Sequence, residues 1–169
     1  MKQFKTLLFA ALLFVGATSF TNAQSKIAHI NTNELIEAMP QMKTAKAELE
    51  KLSKAYEAQI QEMATEYQNK LKQYQAEVDT KTEEENSKRA QEVQTMEQSI
   101  RQFQGQAQQD LQKKESELLK PIFDKAKEAI QKVAKAQGFQ YVLDSTQGSG
   151  VLLADGKDLM VDVKKELGF

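Results

Sequence analysis

Residues 45–78 read AKAELEKLSKAYEAQIQEMATEYQNKLKQYQAEV, and this stretch decides the fold. Its large apolar residues fall into three triads: Leu49, Leu52, Tyr56; Ile60, Met63, Tyr67; Leu71, Tyr74, Val78. Each triad is the previous one moved along by eleven residues, and Ala45 leads the series in. A period of about 3.67 residues is that of a straight or slightly right-handed helix rather than a heptad supercoil. Between the triads no apolar side chain is larger than alanine. Glu50–Lys54, Glu66–Lys70 and Glu77–Lys81 stand Glu-before-Lys at i,i+4, the favourable order on a wet helix face. The spacing predicts a long helix with one narrow apolar seam, and a seam needs a partner.

The partner follows in the chain. The pattern lapses over Asp79–Ser87, where Thr82-Glu83-Glu84-Glu85 has the form of a capping box. A second seam then reads Val93, Met96, Ile100, Phe103, Ala107, Leu111, Leu118, Ile122, with Glu84–Lys88, Glu85–Arg89 and Glu97–Arg101 on the wet side. Two such helices joined by a short polar turn can close as an antiparallel hairpin. The alternative is one unbroken helix, since neither glycine nor proline marks the tip. Gly105 interrupts the return seam region at a cost of about 1 kcal/mol against alanine, and is the candidate hinge. Pro121 should kink or restart the helix near Leu118–Leu119. Beyond it Ile122, Phe123, Ala126, Ile130 and Val133 form a wider apolar face, ending at Gly138 as a C-cap.

The flanks read differently. Lys26–Ile30 (KIAHI) is a β-branched run with a strand signature, and Asn31, Thr32 or Asn33 can cap a short helix, which Pro40 either ends or follows as the first residue of the next helix. Phe139–Leu143 (FQYVL) and Val151–Leu153 are expected as two more strands, separated by a polar turn over Asp144–Gly150. Asp158 or its neighbour can cap a last helix carrying Leu159, Met160, Val163 and Leu167. The fold class is therefore mainly α with a small β body. Residues 24–43 and 119–169 form that body, and 44–118 a helical-hairpin arm reaching about 50 Å from it. A base so small, with open strand edges, is expected to oligomerise. Ile27, Ile30, Phe139, Tyr141, Leu143 and Val151 are the candidate oligomerisation residues.

The N-terminus has the form of an export signal: Lys2 and Lys5, an apolar run Leu7–Val15, and Thr21-Asn22-Ala23 before Gln24. The run is shorter than the ~20 residues of a spanning helix. Loss of Lys2 and Lys5 with residues 1–23 would leave 21 basic and 24 acidic residues. That balance excludes the strongly basic class of nucleic-acid binders. With no cysteine in 169 residues, disulfides and thiolate metal sites are unavailable, and no cofactor motif is found. His29 stands alone and reads as structural. Gly148-Ser149-Gly150 reads as a turn rather than a phosphate loop, and Glu83–Glu85 as a helix N-terminus. The glutamines crowded between Gln91 and Gln112 read as a neutral, wet helix face.

KIAHINTNELIEAMP, LLKPIFDKAKEAIQKVAKAQGFQYVLDS and DLMVDVKKELG, flanking a long charged helical middle, resemble the Skp/OmpH family of periplasmic chaperones. The resemblance implies a non-enzymatic homotrimer shaped like a jellyfish. Its strand-built trimerisation base would hold three hairpin tentacles around unfolded outer-membrane proteins, without ATP. Family members are also credited with a basic lipopolysaccharide-binding patch. No basic cluster of this mildly acidic chain carries that over. Clients would then meet seam flanks: Tyr56, Met63, Tyr67, Tyr74, Met96 and Phe103. The competing class is an exported coiled-coil spacer or scaffold for a folded envelope partner.

Overall fold

The computed structural model describes residues 25–169, so the expected export signal over residues 1–23 lies outside the described residues. Strand β1 spans Ile27–Ile30 and helix α1 Thr32–Ala38. Asn31 caps α1, its side chain accepting from the Glu34 amide at 3.1 Å. Helix α2 runs from Pro40 to Ala76, with the proline in the first turn where its missing N–H costs nothing. A 3-10 turn at Val78–Thr80 follows. Helix α3 then spans 54 residues, Glu83–Ala136. At its start Thr82 Oγ1 accepts from the Glu85 amide (3.3 Å), while the Glu85 carboxylate accepts from the Thr82 amide (3.0 Å). The capping box marks the hairpin tip where the periodicity lapses.

The two long helices are antiparallel. Contacts pair Glu48 with Lys114, Tyr56 with Asp110, Lys70 with Glu92 and Glu77 with Arg89, so numbers fall on α3 as they rise on α2. Helix α3 continues through Pro121 without a restart, contrary to one of the two outcomes the proline suggested. Leu118, Leu119, Ile122, Ala126, Ala129 and Val133 all pack on the core, and this packing on both sides of the proline holds the helix together across the missing hydrogen bond. At the far end Gly138, at φ 72°, gives its amide to Lys135 O (3.1 Å) and the Phe139 amide reaches Ala134 O (2.9 Å). This is a Schellman cap, and glycine takes its left-handed position without strain.

Strand β2 (Tyr141–Asp144) and strand β3 (Lys157–Asp158) both lie parallel to β1, in the order β2-β1-β3. Two expectations are corrected here. Phe139 and Gln140 precede β2 rather than opening it: the Schellman turn occupies Phe139, and the Gln140 amide makes a single bond to Lys26 O (2.9 Å) just ahead of β1. Val151–Leu153 is not a strand: Leu152 is 100% and Leu153 82% exposed. The third strand is Lys157–Asp158 instead. It is drawn beside β1 by Leu159, which is fully buried and gives its amide to His29 O (3.0 Å). Helix α4 (Met160–Leu167) closes the chain, and Asp158 Oδ1 accepts from its first amide at 2.8 Å.

One core results. Ala28, Ile30, Leu35, Met39, Met42 and Ala45 meet Ile122, Ala126, Val133, Leu159 and Val163. Every contributor lies in the first twenty or so described residues or beyond Leu118. Asp144, at the end of β2, ties this body to α1. Its carboxylate accepts from Thr32 Oγ1 (2.7 Å), Thr146 Oγ1 (2.7 Å) and the Thr146 amide (2.9 Å). Partial burial pushes the Asp144 carboxyl upward, but the Thr146 and Thr32 hydrogen bonds outweigh it and hold the pKa at about 2. His29 is structural, with Nε2 donating to Gly156 O (3.2 Å) and Nδ1 facing Ser145 Oγ (3.3 Å).

Candidate functional site

The seam of α2 meets the seam of α3, yet the two cannot cover each other. From Leu49 to Tyr74 every large seam residue of α2 is half-buried, and so are Val93, Met96, Ile100, Phe103 and Leu111 opposite. A side chain between two helices has no third layer, so each contributes roughly half of the 1.5–3 kcal/mol of full burial. The uncovered halves form an apolar margin along each side of the hairpin.

The six seam residues proposed for binding are distributed along these margins. Near the middle Tyr56 meets Phe103 edge to face, with ring centroids 5.9 Å apart, and its hydroxyl donates to Asp110 at 3.3 Å. Burial and the Asp110 carboxylate push the Tyr56 pKa up, so the phenol stays protonated. Met63 and Met96 line one shallow hollow of about 350 Å³ together with Ile100 and Thr95. Tyr67 is half-buried between these positions and the tip.

Tyr74 is committed to the hairpin. Its hydroxyl donates to Glu92 (2.6 Å), which also accepts from Lys70 (2.8 Å), while the Arg89 guanidinium stacks 4.6 Å from the ring centroid. Hydrogen bonds from Lys70 and then Tyr74 hold the Glu92 pKa down, and Lys70 is raised in turn. Arg89 also reaches Glu77 at 2.5 Å. Its Nη1 is buried without a hydrogen-bond partner among the described residues, and the guanidinium that carries it lies over the Tyr74 face. These cross-hairpin pairs replace three same-helix pairs expected from spacing, Glu66–Lys70, Glu77–Lys81 and Glu85–Arg89. Counting back from the Thr82 cap would have found them.

The body carries a second surface. In the parallel register Ile27 sits beside Tyr141 and His29 beside Leu143, on the sheet face away from the core. Ile27, Tyr141 and Leu143 are 47%, 60% and 44% exposed. Of the other body residues singled out, Ile30 points the opposite way and is 1% exposed, so it belongs to the core. Phe139 is half-buried under the Lys26 ammonium, 4.3 Å from its ring, and Val151 is half-buried in the loop. Phe123, expected on the buried apolar face beyond Pro121, is instead 47% exposed, and Val161 is an exposed apolar residue the sequence did not single out. Phe123 lines a groove of about 580 Å³ with Ile36, Ile130, Phe139 and Val142.

Among the described residues no group of three His, Cys, Asp or Glu side chains is placed to hold a metal, and no helix is long and apolar enough to cross a membrane. What remains are two apolar surfaces, one extended along a hairpin and one on a small sheet. Residues 26–167 match the family described as outer membrane protein (OmpH-like). The chain belongs to that family. The chaperone protein Skp of Pectobacterium atrosepticum is 27% identical over 158 residues, covering 92% of this chain and 93% of the relative. Skp of Yersinia enterocolitica is 25% identical over 164 residues, covering 96% and 98%. A solved Caulobacter crescentus CB15 protein, described as an OmpH-like outer membrane chaperone, superposes with a TM-score of 0.75 at 18% identity, over 86% of this chain and 85% of that one. At that identity the likeness speaks for the fold of this OmpH-like chain.

Proposed function

We propose that this chain is an ATP-independent holdase that keeps unfolded outer-membrane β-barrel proteins from aggregating in the periplasm, after removal of residues 1–23. Membership of the OmpH-like family and kinship with Skp chaperones support the chaperone role. The observation that carries the mechanism is the half-covered seam. It offers apolar margins along both sides of the hairpin, with Tyr56, Met63, Tyr67, Met96 and Phe103 on them. No single contact is strong. Many weak ones, presented by several hairpins around one client, hold by multivalency and release without fuel. No part of the proposal calls for a cofactor, a nucleic acid or lipopolysaccharide.

The several hairpins come from a homotrimer built on the body. The bare sheet face of Ile27, Tyr141 and Leu143, and the open outer edges of β2 and β3, support it. Residues 24–43 and 119–169 then act as the assembly unit and 44–118 as the gripping arm. The test is dilution of a urea-denatured β-barrel membrane protein into buffer with and without the trimer. The trimer should keep it soluble while ignoring folded proteins; aggregation at the rate seen in buffer alone would end the proposal. Intact mass of the exported chain, expected to begin at Gln24, tests the processing step.

A further inference from the structure

The glutamines between 91 and 112 do more than wet the return helix. Gln91, Gln94, Gln98, Gln102, Gln109 and Gln112, with Gly105 among them, are spaced by threes and fours and fall on one face of α3. It is the face opposite the seam of Val93, Ile100 and Ala107, and all seven residues are exposed. We propose that this uncharged stripe is a hydrogen-bonding track for the main chain of an extended, unfolded polypeptide. The proposal rests on the chaperone reading and names the group that the hairpin's back recognises.

Three observations support it. The charged residues of this span, Glu92, Glu97, Arg101 and Asp110, lie off the stripe. Each is engaged: Glu92 with Lys70, Glu97 with Arg101, and Asp110 with Tyr56 and Gln106. The six stripe carboxamides make no hydrogen bond among the described residues, as is also true of the neighbouring Gln104 and Gln108, whereas Gln106 is held by Asp110, so the stripe's donors and acceptors are free for a partner. Nor does solubility demand amides here, because the corresponding back of α2 uses Lys51, Lys54, Glu62 and Lys72.

The chemistry selects the occupant. A carboxamide both donates and accepts, so it matches the N–H and C=O of a peptide group whatever the client's sequence. The stripe has no charge with which to prefer an acidic or basic partner. It has no apolar side chain with which to grip the surface of a folded one. Unfolded chains are the macromolecules that expose unpaired main-chain groups in quantity. The stripe runs about 32 Å, enough for roughly nine or ten residues of extended chain. About two-thirds of the way along, the place where a Gly105 side chain would stand has nothing within 4 Å, so a client strand can approach the helix closely.

The test uses the full mature protein and a urea-denatured outer-membrane β-barrel protein as probe. One variant carries Gln94, Gln98, Gln102 and Gln109→Ala. A control carries Gln59, Gln61, Gln68 and Gln75→Ala on α2. Alanine favours helix, so both should keep wild-type circular dichroism. The stripe variant should bind the probe at least fivefold more weakly and the control within twofold of wild type, with molar mass by light scattering unchanged in both. Equal or tighter binding by the stripe variant overturns the proposal while leaving the chaperone reading intact. A fall in its molar mass overturns it too, by assigning the stripe to contacts between copies. Failure of the wild type to hold the probe removes the chaperone reading and the track with it.

Discussion

Gly105→Ala separates the roles open to a glycine in the middle of a long helix. A glycine retained for close packing would have a neighbour against its Cα, and alanine would then clash. Within this chain a Cβ at Gly105 meets nothing within 4 Å, so the packing role has no support in the hairpin. What remains is helix propensity, which favours alanine by about 1 kcal/mol. For a chain of this size that raises Tm by about 2–4 °C. In amide exchange it slows opening about fivefold around residues 100–110, if the hairpin opens there as a unit. Thermal circular dichroism and exchange mass spectrometry read the two effects separately. We take Gly105 as a hinge that lets the arms splay, so the same variant should also hold a narrower size range of clients. A lower Tm would refute the geometric argument by placing another copy against the glycine. Unchanged exchange together with an unchanged client range would refute the hinge.

Tyr141→Glu, on the bare face of the sheet and 60% exposed, should leave the body folded but drive the oligomer toward monomer, as light scattering would show; a stable trimer would move the interface elsewhere. Arg89→Ala removes both the Glu77 bond and the stack on Tyr74 from a side chain that is 17% exposed. It should destabilise the tip by about 1–2 kcal/mol and speed exchange over residues 70–95 without altering oligomer mass. Asp144 has a folded pKa of about 2 against an ordinary 3.8, so its contribution is whole above 3.8 and is lost as pH falls from there toward 2. The urea midpoint of the wild type should therefore drop across that window. Asp144→Asn should be less stable at pH 6 and show a shallower drop.

Much of the molecule was legible without coordinates because its decisive signals are local. The Asn31 cap, the Thr82–Glu85 box and the Gly138 Schellman turn each close hydrogen bonds between residues no more than five apart, and Pro40 sits in the first turn of α2, where no N–H partner is needed. Their chemistry does not depend on what lies elsewhere in the fold. The eleven-residue repeat fixes one face of the first long helix for the same reason, and the three-four spacing of the return seam fixes the other, so Tyr56 and Phe103 meet in the hairpin.

Other features were decided by what lies far along the chain. Val151–Leu153 has stronger β propensity than Lys157–Asp158, yet the latter is the strand, because Leu159 is buried and delivers it to β1. Pro121 should favour a break, but the body packs against both sides of it. Whether Ile27 or Ile30 faces solvent is a choice between alternate positions of one strand, and α1, α3 and α4 make it by covering only one side of the sheet. Lys70 and Arg89 had partners one turn away, and each took a carboxylate across the hairpin instead. Caps and periodicity cost a few backbone dihedrals and are settled by neighbours in sequence. Sheet edges, faces and ion-pair partners are settled by which distant surface arrives beside them.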